Sequence, residues 1–220
     1  MTAIFKRNQV EEALWRALGR GSTPLSSVFA ACIKRLLDLD RKEDVAQFPG
    51  YAFLDALPGG KGIEAAYTGF DAFCLGIGID LLDAGFTQRD IVFLLRHIRS
   101  DLKIQYGQIL QMKPVFGQCV AATDRPGCAV ILVNGVAMAD FRLYMLVGRV
   151  DLSDLLKAST NASPMIFAPK FIQGTTALAE AFNARKWEER KSMVVEIAEF
   201  ANRLEWELSQ TLAKRRGRPG

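Results

Sequence analysis

The sequence predicts a mainly helical α+β fold in two parts: a helical front half, then a mixed strand/helix module that ends in a long C-terminal helix. Three observations predict it. Apolar residues recur at three-four spacing over most of residues 8–112, with one Gly-rich interruption near residue 60. From Pro114 the pattern changes to short runs of Val, Ile, Leu and Phe divided by turn residues. After Gly174 helical spacing returns. With 220 residues, half of them hydrophobic, the chain can bury one good core or two small ones, and we place the boundary between 1–112 and 113–220.

"NQVEEALWRALG" gives the first helix, with Asn8 as cap, Val10, Leu14, Ala17 and Leu18 on one face, and Gly19 at its close. "STPLSSVFAACIKRLLDLDRK" gives the second, from about Pro24, which suits a first turn. Val28, Phe29, Cys32, Ile33, Leu36 and Leu37 face inward, and Lys34, Arg35, Arg41 and Lys42 lie towards its end. "YAFLDALPGGKGIEAAYTGF" changes period, and Pro58 to Gly62 supply the turn of a candidate β-hairpin. "DAFCLGIGIDLLDAG" is a third helix, weakened by Gly76 and Gly78. Gly85 can close it in the left-handed conformation, and Thr87 caps a fourth helix that Pro114 must end.

In the back half "VFGQCVAA", "GCAVILVNGV" and "DFRLYMLVGRV" read as strands, with Asn134-Gly135 a favoured hairpin turn, or part of a longer loop. The segment from Gly174 onward reads as helix. Within it Val194, Ile197, Ala201, Leu204 and Leu208 form a seam that suits either core packing or dimerisation.

Two helices, a Gly-rich hairpin and a further helix pair make a winged helix-turn-helix order. With "LLDAGFTQRDIVFLL", and with Leu81, Gly85, Phe86, Thr87, Asp90, Ile91, Leu94 and Leu95 as its packing and capping residues, the front half resembles the DNA-binding domain of MerR-type transcription regulators. The resemblance implies that Asp83–Arg99 is the hinge of a helix pair and that the second helix meets the DNA. In such a domain polar residues of that helix face the major groove while the wing and basic neighbours hold phosphates. The candidate DNA-binding residues are Ser22, Thr23, Ser26, Ser27, Lys34 and Arg35, with Lys61 at the wing tip. At the other end of the chain Arg216-Gly217-Arg218-Pro219 resembles the core of an AT-hook, whose arginines enter the narrow minor groove.

A formal net charge of +4 and a pI near 8.9 agree with an anionic partner. No run of about 18 uncharged apolar residues is present, and the amphipathic N-terminus differs from a signal peptide, so a cytoplasmic protein without a membrane partner is expected. Cys32, Cys74, Cys119 and Cys128 form no C-x-x-C pair and read as reduced packing residues. Neither a Walker loop, G-x-S-x-G nor zinc spacing occurs, and His97 sits among apolar residues and arginines on a helix. The expectation is therefore a non-enzymatic, cofactor-free and metal-free regulator of transcription. It would bind double-stranded DNA as a homodimer, its back half serving dimerisation or reception of an effector. The alternative is a non-enzymatic adaptor or assembly protein.

Overall fold

The computed structural model describes residues 3–42, 50–56, 65–112, 129–133, 136–148, 169–184 and 192–211. Its helices are α1 (Arg7–Trp15), α2 (Ser27–Lys42), α3 (Gly69–Asp83), α4 (Gln88–Met112), α5 (Thr175–Asn183) and α6 (Ala198–Gln210). Its strands are β1 (Ala129–Val133), β2 (Val136–Asp140), β3 (Leu143–Gly148), β4 (Lys170–Gln173) and β5 (Ser192–Glu196). The fold is mainly helical, with a β1–β2 pair and a three-stranded antiparallel sheet in the order β4-β3-β5. The chain divides into two compact units, residues 1–107 with 200–220, and residues 108–199.

The first unit is built around α3. Gly69 to Ile79 are buried in an unbroken run, and Leu81 follows half-buried Asp80, as expected of a helix surrounded by the core on nearly every side. Its glycines permit close packing. A Cβ on Gly76 would strike the Phe200 ring, and one on Gly78 would lie 3.1 Å from the Phe53 ring. Thr68 caps the helix: its hydroxyl accepts from the Asp71 N–H (3.1 Å), while the Asp71 carboxylate accepts from the Thr68 N–H (2.9 Å). The helix closes through Gly85, at φ 85°, which permits the turn into α4. Thr87 then accepts from the Asp90 N–H at 3.2 Å, a cap of the kind worth about 1 kcal/mol. Ile91, Leu94 and Leu95 of α4, which the sequence assigns to packing, are buried, and so is Ile98.

Several expectations are corrected here. Helix α1 begins at Arg7, so Asn8 lies inside it; the Gln9 side chain instead accepts from the Lys6 N–H at 3.0 Å. Helix α2 begins at Ser27, beyond Pro24, and Val28 points outward at 70% exposure. The Gly-rich hairpin is not formed by the described flanks. Tyr67 pairs with Phe5 in an isolated antiparallel bridge, and the N–H groups of Ala52 and Phe53 donate to the Asp40 carboxylate, which draws Phe53 into the core. Residues 57–64, including the expected turn, lie outside the described residues.

The seam assigned to one C-terminal helix is divided. Val194 lies in β5, opposite Leu146 of β3, and Ile197 follows the strand, its N–H donating to the Leu143 carbonyl. Only Ala201, Leu204 and Leu208 lie on α6, all at 1% exposure or less. They are core residues, so the packing reading replaces the dimerisation reading. Phe200 stacks on Phe73 with centroids 5.8 Å apart, and Tyr106 bonds to Glu205, which ties α6 to α3 and α4 inside the first unit.

In the second unit Val133 stands opposite Val136, which leaves the two residues 134–135 between β1 and β2, as the Asn-Gly pair predicts. Central β3 is buried from Leu143 to Val147. Asp140, itself buried, accepts from Arg142 Nε (2.7 Å) and Nη2 (2.9 Å) and from the Thr175 N–H and hydroxyl (both 2.8 Å). Burial pushes this carboxyl up, but the bonds from Arg142 and Thr175 outweigh it and hold it down at about 2. "VFGQCVAA" lies outside the described residues.

Candidate nucleic-acid interface

Helix α2 has two unlike faces, and three-four spacing separates them. Phe29, Ile33, Leu36, Leu37 and Asp40 are buried, whereas Ser27, Val28, Lys34, Arg35, Arg41 and Lys42 are exposed. Lys34 and Arg41 are seven residues apart, as are Val28, Arg35 and Lys42, so each set lines up along the solvent side. From residue 27 to residue 42 this face runs about 22 Å. Between the two cation pairs lie half-buried Asp38 and buried Asp40.

The head of α2 is held from three directions. Arg7 Nη2 of α1 donates to the Ala30 carbonyl (3.3 Å) while its Nε pairs with Glu11 (2.6 Å). The Trp15 indole donates to the Thr23 carbonyl (2.8 Å), and its ring meets Phe29 edge-on at 5.0 Å. Arg20, in the π-helical turn Arg16–Arg20, lies over both rings at 5.6 and 5.5 Å and pairs with Asp83 at the end of α3. Gly19, at φ 77°, lets the chain turn there.

The tail of α2 is held by a buried charge network. Arg96 of α4 donates from Nε to Asp40 Oδ1 (2.8 Å) and from Nη2 to the Asp40 carbonyl, with both side chains nearly inaccessible. One turn along, Arg99 donates to the Ala52 carbonyl (2.6 Å), Asp71 (2.6 Å) and Asp55 (2.9 Å), and stacks over Phe70 at 4.8 Å. These arginines thus bind α2, α3 and residues 51–55 to α4. Their positions within the helix-pair segment mark that segment as a brace for α2.

The sequence-predicted residues fall into three groups. Lys34, Arg35, Ser22 and Ser27 are exposed on or beside α2. Thr23 and Ser26 have local duties: the Thr23 hydroxyl donates to the Arg20 carbonyl (3.1 Å), and half-buried Ser26 accepts from the Val28 N–H (3.2 Å) at the start of the helix. Lys61, Arg216 and Arg218 lie outside the described residues. Arg41 and Lys42 are not among the sequence-predicted candidates, although the helix-end position they share with Lys34 and Arg35 applies to all four; their seven-residue spacing from that pair is the signal that adds them.

Beside the clamp, Asp80 is three residues before Asp83 on α3. Burial, and then the Asp83 charge, raise its carboxyl to about 6 against the opposing pull of Arg20. A carboxyl raised in the folded state costs stability once it ionises, so this cost is absent below pH 4 and complete above pH 6. Asp80→Asn should therefore raise the melting temperature above pH 6, with the gain fading towards pH 4. A gain of equal size at pH 4 and pH 8 would contradict the assignment.

Among the described residues no group of three or more His, Cys, Asp and Glu side chains could hold a metal ion, and no helix is long and apolar enough to cross a membrane. Cys74 is fully buried, which pushes its thiol up to about 12. The chain matches no family model, no curated protein and no solved structure.

Proposed function

We propose that this protein is a DNA-binding regulator of transcription that lays the exposed face of α2 against the duplex. The observation that carries the reading is the alignment of Lys34, Arg35, Arg41 and Lys42 on the solvent side of a helix braced at both ends. Phosphates repeat along a duplex, and a rigid helix with cation pairs two and four turns along can meet several at once. A positive chain charge favours the encounter, and the likeness of "LLDAGFTQRDIVFLL" to the helix joint of MerR-type regulators supports the same use of the front half. The cation-bearing tail, with Arg216 and Arg218, would add minor-groove contacts beside the core site.

The test is binding to a mixed duplex pool at several salt concentrations, with the wild-type chain and with Lys34, Arg35, Arg41 and Lys42 all changed to alanine. Each phosphate contact contributes about 0.9 to the slope of log affinity against log salt, so the fourfold variant should lose about three to four units of slope. Affinity should fall for every duplex alike, while the melting temperature holds because all four side chains are exposed. An unchanged slope in the folded variant would remove α2 as the interface.

A further inference from the structure

The exposed face of α2 contains a side chain that phosphate binding does not use. Val28 is 70% exposed in the first turn, on the same line as Arg35 and Lys42, and Leu25 just before the helix is 39% exposed. Every other apolar residue of α2 is buried or half-buried, so Val28 is the one exposed apolar side chain of that helix. Ala31, the next residue on the same line, is small and allows close approach of the helix to a surface.

Resting on the DNA-binding reading above, we infer that Val28 is a base-reading residue and that what it reads is the methyl group of thymine. A helix lying in the major groove presents its N-terminal residues to the base edges, and the cations further along are then placed for the backbone. Valine can neither donate nor accept a hydrogen bond. The C5-methyl of thymine is the apolar feature of the major-groove floor, so an exposed aliphatic side chain at this position discriminates thymine from cytosine by contact alone. Ser27, exposed beside it, can hydrogen-bond a neighbouring base edge. A protein surface is the other class of occupant, but a stable interface buries about 800 Å² on each partner, far more than one valine and part of one leucine can cover. The flanking cations are also complementary to DNA.

The experiment starts from a duplex enriched by binding from a random pool and replaces its thymines one at a time by deoxyuridine, which removes only the methyl group. At one or two positions the wild-type chain should lose about fourfold in affinity, the worth of one buried methyl group. Val28→Ala should bind thymine and deoxyuridine duplexes equally, with the wild-type salt slope and melting temperature. Salt-dependent binding with no deoxyuridine effect at any position would overturn the inference and leave the interface standing. A deoxyuridine effect that persists in Val28→Ala, or an altered oligomeric state in that variant with base preference intact, would also overturn it. Absence of salt-dependent binding to any duplex would remove the DNA-binding reading and this inference with it.

Discussion

Replacing Asp40 with alanine should destabilise the first unit by about 4 kcal/mol, the range found when one partner of a buried ion pair is removed. Asp40 is 2% exposed, and it satisfies Arg96 together with the N–H groups of Ala52 and Phe53. The truncation leaves a buried guanidinium without its carboxylate and two amides without an acceptor, each amide costing about 1–3 kcal/mol when no water can replace the lost partner. The sign of the effect depends on the charge left behind. Changing Asp40 to alanine and Arg96 to methionine together removes both charges, and should therefore cost less than the sum of the two single changes. Denaturant unfolding of the four proteins measures the coupling. Additive losses would mean that the pair is solvated and that α2 is not fixed through its tail in the way described.

A second large effect is expected at Gly76. Glycine in a helix interior ordinarily costs about 1 kcal/mol relative to alanine, so a β-carbon should help unless the space is filled. At Gly76 it is filled: the Phe200 ring occupies the position of a Cβ, and Leu14 Cδ2 lies 3.0 Å away. Phe200 is itself held in a stack with Phe73, so it has little freedom to withdraw. Gly76→Val should cost about 3 kcal/mol, at the upper end of ordinary overpacking. Gly107 provides the contrast, because a Cβ there meets no described atom within 4 Å. Gly107→Ala in continuous α4 should stabilise by about 0.5–1 kcal/mol. Equal responses at the two positions would contradict the packing of α6 on α3.

The four front helices were legible from their apolar spacing, although the starts of α1 and α2 were not. Thr87 and Gly85 act as the local chemistry requires, and the strands on either side of the Asn-Gly dipeptide pair with each other. The errors arose where distant partners decide. Around Val194 the residues fit helical spacing through Ile197 and Ala201, and equally a strand through Met193, Val195 and Ile197; pairing with β3, some fifty residues earlier, selects the strand. The part of the expected seam that lies on α6, Ala201, Leu204 and Leu208, belongs to the core of the first unit, where Phe200 and Glu205 meet Phe73 and Tyr106, which nothing local announces.

The candidate interface was legible in part for the same reason. Lys34 and Arg35 could be named from their helical phase, whereas Val28 fitted the apolar stripe and was assigned inward until the start of α2 at Ser27 and its packing placed it outside. The brace was not legible at all. Nothing in the local pattern around Arg96 and Arg99 announces their partners; only the fold brings them to Asp40, Asp71 and the backbone at Ala52.

The central claim is that α2 binds DNA and distinguishes its sequence. Its most direct test is repeated selection of the full chain on random-sequence duplexes at about 0.15 M salt, with the retained pool sequenced beside that of the fourfold α2 variant. The account predicts an enriched sequence for the wild-type chain, two-fold symmetric if two copies bind together, and no enrichment for the variant. A wild-type pool as random as the starting one, or the same enriched sequence from both proteins, would contradict it.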